Sequence, residues 1–275
     1  MALNDADLGV AAELIAGADA VLVCAGAGMG VDSGLPDFRG DEGFWTAYPP
    51  YERLGIRFVE LADPRHFTED PELAWGFYGH RLELYRKTVP HDGFRILRSW
   101  GEPKPGGTVV FTSNVDGQFG EAGFGLVAEV HGSIHHLQCV VPCGPHIWPA
   151  DDDVPIDPET MRATGPLPRC PRCGNLARPN ILMFGDADWV PHRTDEQLTA
   201  LTEWRRENRD LVVVELGAGR AVPTVRRYAE LASAATGALI RINPREPEIR
   251  HGRGVSFPHG ALETLTALDA RLRAG

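Results

Sequence analysis

The chain has 275 residues and 43% hydrophobic side chains, ordinary for a globular protein and enough for one large domain or a large and a small one. A formal net charge of -11, from 27 basic and 38 acidic residues, argues against a general nucleic-acid binder and mildly for basic partners. No apolar run reaches the length of a membrane span, and the opening MALNDADLGV lacks the basic start and apolar centre of a secretion signal, so a cytoplasmic protein is expected.

Leu8, Ala11, Ala12 and Ile15 fall at helical spacing within residues 5–18, with Asp5 or Asp7 placed to cap the start. The run Ala20-Val21-Leu22-Val23-Cys24-Ala25 reads as a strand buried on both faces, as in a parallel sheet. Cys24 within it reads as a core residue, not a nucleophile. A glycine cluster follows at once, Gly26-Ala27-Gly28-Met29-Gly30. Glycines there permit a tight turn and close approach of backbone to a pyrophosphate. Val31 occupies the third glycine position of G-x-G-x-x-G, so the cluster alone leaves a nucleotide site and an ordinary strand-to-helix turn equally open.

Residues 36–80 are rich in aromatics and prolines, with helical spacing only towards the end. There Tyr78 and Arg81 lie three apart, on one face of a helix. Apolar strand-like runs recur at 108–112, 211–216 and 238–242. The last two flank a helical stretch at 223–235, where Pro223 suits the first turn, and together they make a βαβ unit. Leu262, Leu265, Leu268 and Leu272 mark a closing helix. The expected fold is a Rossmann-like, mostly parallel α/β sheet with helices on both faces. Residues 1–35, 81–138 and 181–275 are assigned to it, and 36–80 with 139–180 to a smaller domain built from insertions.

Four of the five cysteines form two close pairs, Cys139-x3-Cys143 and Cys170-x2-Cys173, with 26 residues between them. An odd count in a cytoplasmic chain is not a disulfide framework. Each pair can grip a metal from a tight turn, and four thiolates complete a tetrahedral zinc shell. Gly144 and Gly174 follow the pairs, where such turns use glycine. The shell has no open position, so the zinc is structural. His135, His136 and His146 are nearby alternative ligands that nothing in the spacing prefers.

Ordered motifs run along nearly the whole chain. The stretch from Gly26 to Gly40, GAGMGVDSGLPDFRG, resembles the sirtuin signature GAGxSxxSGIPDFRG. Thr112-Ser113-Asn114-Val115-Asp116-Gly117 resembles the family's TQNIDG, and Val130-His131-Gly132-Ser133 its HGS. The cysteine pairs come next in the family's order, followed by Arg178-Pro179 to Phe184-Gly185-Asp186, similar to RPxVVxFGE. Leu216-Gly217-Ala218-Gly219 stands at the family's GTS and Ile242-Asn243 at its IN.

This resemblance implies an enzyme that consumes NAD to remove acyl groups from lysine on proteins or peptides; the acidic balance and the lack of a long apolar run leave no nucleic-acid or membrane partner expected. Ala25, Gly26, Ala27 and Gly28 would cradle the pyrophosphate, and Asp37, Phe38 and Arg39 would lie in the loop over the cofactor. Asn114 and Asp116 would line the nicotinamide pocket, Asn243 would reach the adenosine ribose, and Ser113 and Gly217 would complete the cofactor set. His131 would be the general base, a role that suits an imidazole near neutral pH. Tyr78 and Arg81 resemble the YxxR pair of sirtuins that accept succinyl and malonyl groups. Arginine can hold a carboxylate in bidentate fashion; a structural pair in an aromatic-rich helix is the plainer alternative. The chain departs from the family at Ser113 (glutamine), Gly30 (serine), Ala218 and Gly219 (threonine and serine), and Gln118 and Phe119 (leucine and histidine). These departures keep ADP-ribosyl transfer, NAD hydrolysis and a non-catalytic NAD sensor in view as rivals.

Overall fold

The computed structural model describes residues 3–36, 40–53 and 55–274. The chain opens with α1 (Asp5–Gly17). Its cap is Asn4, not Asp5 or Asp7: the Asn4 side chain accepts from Ala6 N at 3.0 Å. The two aspartates instead sit in the first turn, where their charge favours the helix dipole. Strand β1 (Ala20–Ala25) is buried along its whole length, and two 3-10 turns follow, Ala27–Met29 and Val31–Ser33.

Helices fill the next segment, α2 (Gly40–Ala47), α3 (Pro49–Arg53), α4 (Phe58–Leu61), α5 (His66–Glu69) and α6 (Pro71–Lys87). Only the last was legible as periodicity. The others are too short to show a repeat and are held by aromatic packing: Phe44 lies within 6 Å of the rings of Tyr48, Tyr51, Phe58 and Phe77. Trp75 on α6 is fully buried and donates to Ala177 O at 3.0 Å.

The chain continues through α7 (Asp92–Gly101), β2 (Thr108–Thr112), α8 (Gln118–Glu121), β3 (Val127–Glu129) and β4 (Gly132–Cys139). Short strands β5 (Trp148–Pro149), β6 (Ile156–Asp157) and β7 (Arg162–Ala163) precede β8 (Ala177–Ile181). Then come α9 (His192–Glu207), β9 (Leu211–Leu216), α10 (Thr224–Ser233), β10 (Leu239–Ile242), β11 (Val255–Phe257) and α11 (Ala261–Ala274).

The main sheet has six parallel strands in the order β11-β10-β9-β1-β2-β3. Alternation within β1 divides its side chains between two cores. Val21, Val23 and Ala25 pack with Phe94, Leu97, Leu265 and Leu268 from α7 and α11. Ala20, Leu22 and Cys24 pack with Leu201, Val225 and Ala229 from α9 and α10. Burial raises the Cys24 thiol pKa well above its usual range, which suits a packing residue. In the centre of the sheet Arg241 reaches Glu215 on the neighbouring strand through two bonds of 2.8 and 2.6 Å, both side chains fully buried.

A third cluster joins the aromatic helices to β4 and to residues 150–183, including Tyr51, Trp75, Tyr78, Ile134, Leu137 and Met183. Strands β5-β4-β8 form a small antiparallel sheet against it. Among the described residues, no helix is long and apolar enough to cross a membrane.

Candidate active site

The strand order reverses between β1 and β9. The chain runs outward from β1 to β2 and β3, then returns to β9 on the other side and continues to β10 and β11. Ligands of open parallel sheets bind at the carboxyl ends of the strands flanking such a reversal. Here two glycine turns meet at that point. Gly26 N donates to Leu216 O at 2.9 Å and Gly28 N to Gly217 O at 3.2 Å. A Cβ on Gly26 would stand 2.8 Å from both Ala218 Cα and Gly217 O; one on Gly217 would stand 2.5 Å from Gly28 Cα. Gly217 also holds φ +59°, a left-handed conformation that glycine adopts without strain. The turns after β1 and β9 are therefore pressed together backbone to backbone.

Asn243 lies beneath this crossing and is fully buried. Its Nδ2 donates to Ala218 O at 2.9 Å, and its Oδ1 accepts from Arg245 N and Glu246 N. In the structure it braces the second turn. Ala218 is also buried.

The loop after β2 is fastened to the first turn. Thr112 Oγ1 donates to Ala25 O at 2.8 Å and accepts from Asn114 N at 3.0 Å. Asn114 Nδ2 donates to Gly26 O at 3.1 Å, and Ser113 N to Ala25 O at 3.3 Å. Thr112 was not singled out in the sequence, although a hydroxyl at a strand end is a common turn-setting group. The segment carrying His131 is tied to the same loop on both sides: Val130 N donates to Thr112 O and Ile134 N to Val115 O. Leu182 N holds the His131 carbonyl at 2.9 Å. His131 is half-buried, and burial lowers its imidazole pKa below the usual value.

Asp116 is the most perturbed acid near the crossing. Burial pushes its carboxyl pKa up to about 6, although Gln118 N donates to Oδ1 at 2.9 Å. His135 Nε2 donates to the Asp116 carbonyl at 2.8 Å. Asp116 also lines a cavity of about 550 Å³ together with Tyr85, Gln118, Ser133 and His135. That cavity shares Asp116 with the predicted site but includes neither His131 nor the glycine turns. Gln118 is another residue the sequence did not mark as functional; only burial makes a glutamine on a short helix conspicuous.

The structure thus brings Ala25, Gly26, Ala27, Gly28, Ser113, Asn114, Asp116, His131, Gly217 and Asn243 together at one edge of the sheet through the bonds just described. Asp37, Phe38 and Arg39 lie outside the described residues.

Tyr78 and Arg81 occupy one face of α6 and are 1% and 5% exposed. The Arg81 guanidinium lies 5.1, 5.8 and 5.2 Å from the rings of Phe77, Tyr78 and Tyr85. Its Nε and Nη2 donate to Tyr85 Oη at 3.1 and 2.7 Å. Tyr85 is four residues on from Arg81, so this partner was available in the sequence as an i, i+4 neighbour.

The four paired cysteines converge. Their sulfurs all lie within 4.8 Å of one another. Cys139 is 3.3 Å from Cys143 and 3.6 Å from Cys173, and Cys143 is 3.7 Å from Cys170. A tetrahedron with metal–sulfur bonds of about 2.3 Å sets neighbouring sulfurs roughly 3.8 Å apart, so the donor set fits zinc. Gly174 N closes the second turn on Cys170 O at 2.9 Å, and Arg172 N points to Cys170 Sγ at 3.4 Å. His135, His136 and His146 are not part of this cluster.

A parallel α/β sheet, paired glycine turns at its reversal point and a four-thiolate module define a nucleotide-binding enzyme of a particular build. The sequence profile of the Sir2 family matches residues 26–222, and the chain belongs to that family of sirtuin-type enzymes. It is similar to the NAD-dependent protein deacylase of Aquifex aeolicus (strain VF5), at 31% identity over 92% of this chain and 95% of that one. The corresponding deacylase of Mycobacterium tuberculosis (strain H37Rv) is 32% identical over 92% of this chain and 98% of its own. That of Thermococcus kodakarensis is 32% identical over 97% and 96%. Among solved structures, a Sir2 homologue in complex with NAD aligns at TM-score 0.75 with 26% identity, covering 99% of this chain and 95% of that one. A point mutant of a Sir2 homologue in complex with ADP-ribose aligns at 0.76 with 26% identity, covering 99% and 97%.

Proposed function

We propose that this enzyme consumes NAD to remove acyl groups from lysine side chains of proteins or peptides, around a structural zinc held by Cys139, Cys143, Cys170 and Cys173. The observation that carries the reading is the fastening of the His131 segment and the Asn114–Asp116 loop to the crossed glycine turns. It puts a neutral imidazole, a buried carboxyl group and a close backbone approach at one strand edge. The names of the similar deacylases and the NAD and ADP-ribose complexes of similar folds support it.

NAD supplies an electrophilic ribose carbon that the acyl oxygen attacks as nicotinamide leaves. The chain's residues have the following roles. The turn at Ala25–Gly28 admits the pyrophosphate through its backbone. Asp116 accepts from the carboxamide, and Asn114 orders the loop between them. Asn243 acts through the Gly217–Gly219 turn, which it braces. His131, neutral because burial disfavours its charge, takes a proton from a ribose hydroxyl so that the hydroxyl can accept the acyl group. Zinc in the thiolate cluster holds the module together and takes no part in the reaction.

The finer reading is that acidic acyl groups, succinyl and malonyl, are accepted. Arg81 supports it as a buried cation on α6 with Tyr78 on the same face. The division of the chain proposed above, 1–35, 81–138 and 181–275 against 36–80 and 139–180, draws on a cluster of aromatic and aliphatic side chains separate from the two cores flanking the main sheet, although that cluster also takes in Leu82, Tyr85, Ile134, Leu137 and Met183 from the larger part.

Mass spectrometry of the products from NAD and a panel of acyl-lysine peptides tests the reaction. Free lysine peptide, nicotinamide and O-acyl-ADP-ribose are expected, with loss of turnover in His131→Ala. Label on a protein side chain would indicate ADP-ribosyl transfer, nicotinamide release without peptide would indicate hydrolysis, and no turnover at all a sensor. Comparing acetyl- and succinyl-lysine peptides tests the acyl preference, which fails if Arg81→Met keeps full succinyl activity.

A further inference from the structure

Gln118 is 2% exposed, yet neither Oε1 nor Nε2 of its side chain has a hydrogen-bond partner among the described residues. Leaving a buried amide unbonded is costly, so native proteins rarely keep one without a use. The Gln118 backbone already holds Asp116: its N–H donates to Oδ1. Gln118 lines the same cavity as Asp116, Ser133 and His135, with its amide atoms just beneath the surface. The amide oxygen also lies against the cofactor turn, since a Cβ on Gly30 would stand 3.4 Å from Oε1 and 3.0 Å from Leu35 Cδ1.

We infer that Gln118 is a cofactor-contacting residue whose carboxamide binds the carboxamide end of NAD beside Asp116. A primary amide offers one acceptor oxygen and two N–H donors, so two primary amides are complementary to each other. Asp116 supplies only an acceptor when ionised, and Gln118 adds a donor for the carboxamide oxygen. The inference rests on the NAD reading above and deepens it. Both positions, 30 and 118, are departures from the family signature, so this contact is a property of this chain and not of the signature.

The test uses the intact protein and titration calorimetry with three probes: NAD, its 3-acetylpyridine analogue, which lacks the amide N–H groups, and ADP-ribose. Gln118→Met keeps the side-chain length and removes both polar atoms; Gln118→Leu is a second apolar variant. The expected result is NAD binding weaker by about tenfold, the scale of one hydrogen bond. ADP-ribose binding should stay within about twofold, on the same hydrogen-bond scale. Because the analogue keeps the carbonyl oxygen to which Gln118 donates, its binding should weaken in the variant by about the same factor as NAD, on the scale of one hydrogen bond. The ligand-free variant should melt higher, because the unbonded amide is gone. Unchanged NAD affinity in a folded variant would overturn the inference. So would an equal loss for NAD and ADP-ribose, which would mark a structural role. Wild type that binds neither NAD nor ADP-ribose would remove the NAD reading and this inference together, whereas wild-type binding with an indifferent variant removes only the inference.

Discussion

Asp186→Ala should unfold the protein more readily than any surface change, and the reason is local. Arg178 Nη1 and Nη2 meet the two Asp186 oxygens at 2.7 Å each, and both side chains are 0% exposed. Asp186 Oδ2 also accepts from Met183 N at 3.3 Å. Removing the carboxylate leaves a buried guanidinium whose Nε already has no partner among the described residues. Breaking a buried pair from one side costs about 3–5 kcal/mol. Spread over a chain of this size, that lowers the melting temperature by roughly 6–15 °C. Urea denaturation of wild type, Asp186→Ala, Arg178→Met and the double variant measures it. The double variant should recover much of the loss, because no charge is then stranded. A single-variant loss below about 1 kcal/mol, or strictly additive losses, would refute the reasoning. The same pair shapes the turn from which Leu182 N holds the His131 carbonyl and Phe184 N bonds to Ala62 O. Asp186→Ala should therefore also lower turnover below the temperature at which it unfolds.

Three further outcomes are expected. Purified protein should contain one zinc per chain by elemental analysis, and Cys170→Ser should lose the metal and melt lower; retention of zinc by that variant would remove the assigned ligand set. Gly26→Ala should abolish NAD binding while the sheet persists by circular dichroism, because its Cβ would separate turns whose backbones are 2.8 Å from it; wild-type affinity in this variant would contradict the crossing. Asp116 has a folded pKa near 6, above its value in the unfolded chain, so the native state holds a proton that the unfolded chain has lost. Stability should fall as pH rises from about 4 to about 6, by on the order of 3 kcal/mol. Asp116→Asn should flatten that dependence in denaturation curves and weaken NAD binding at pH 7.

The parallel sheet was legible because its central strands carry unbroken apolar runs. The stretches at Ala20–Ala25 and Leu211–Leu216 have no polar residue to blur them except Glu215, whose charge is met by Arg241 one strand away. The edge strands Val127–Glu129 and Val255–Phe257 are three residues each, too short for any pattern. The helices between Gly40 and Glu69 were missed for a related reason: their stability lies in rings contributed by distant residues. In the site, motifs placed the residues but not their duties. The backbone bonds of Asn243 became visible only in the structure, and Gln118 drew notice only once its burial was known. Neither the bonds of an amide nor their absence can be read from residue type.

The crossing of Gly26–Gly28 with Gly217–Ala218 has a consequence for the order in which the protein is made. The ribosome delivers residue 26 long before residue 217, and Asn243 later still. While most of the chain is being synthesised the first glycine turn therefore has only the loop after β2 to hold it, and lacks its partner turn. The four cysteines from 139 to 173 are all delivered before residue 217. The set of metal-binding thiols is thus complete in the chain before the glycine crossing is.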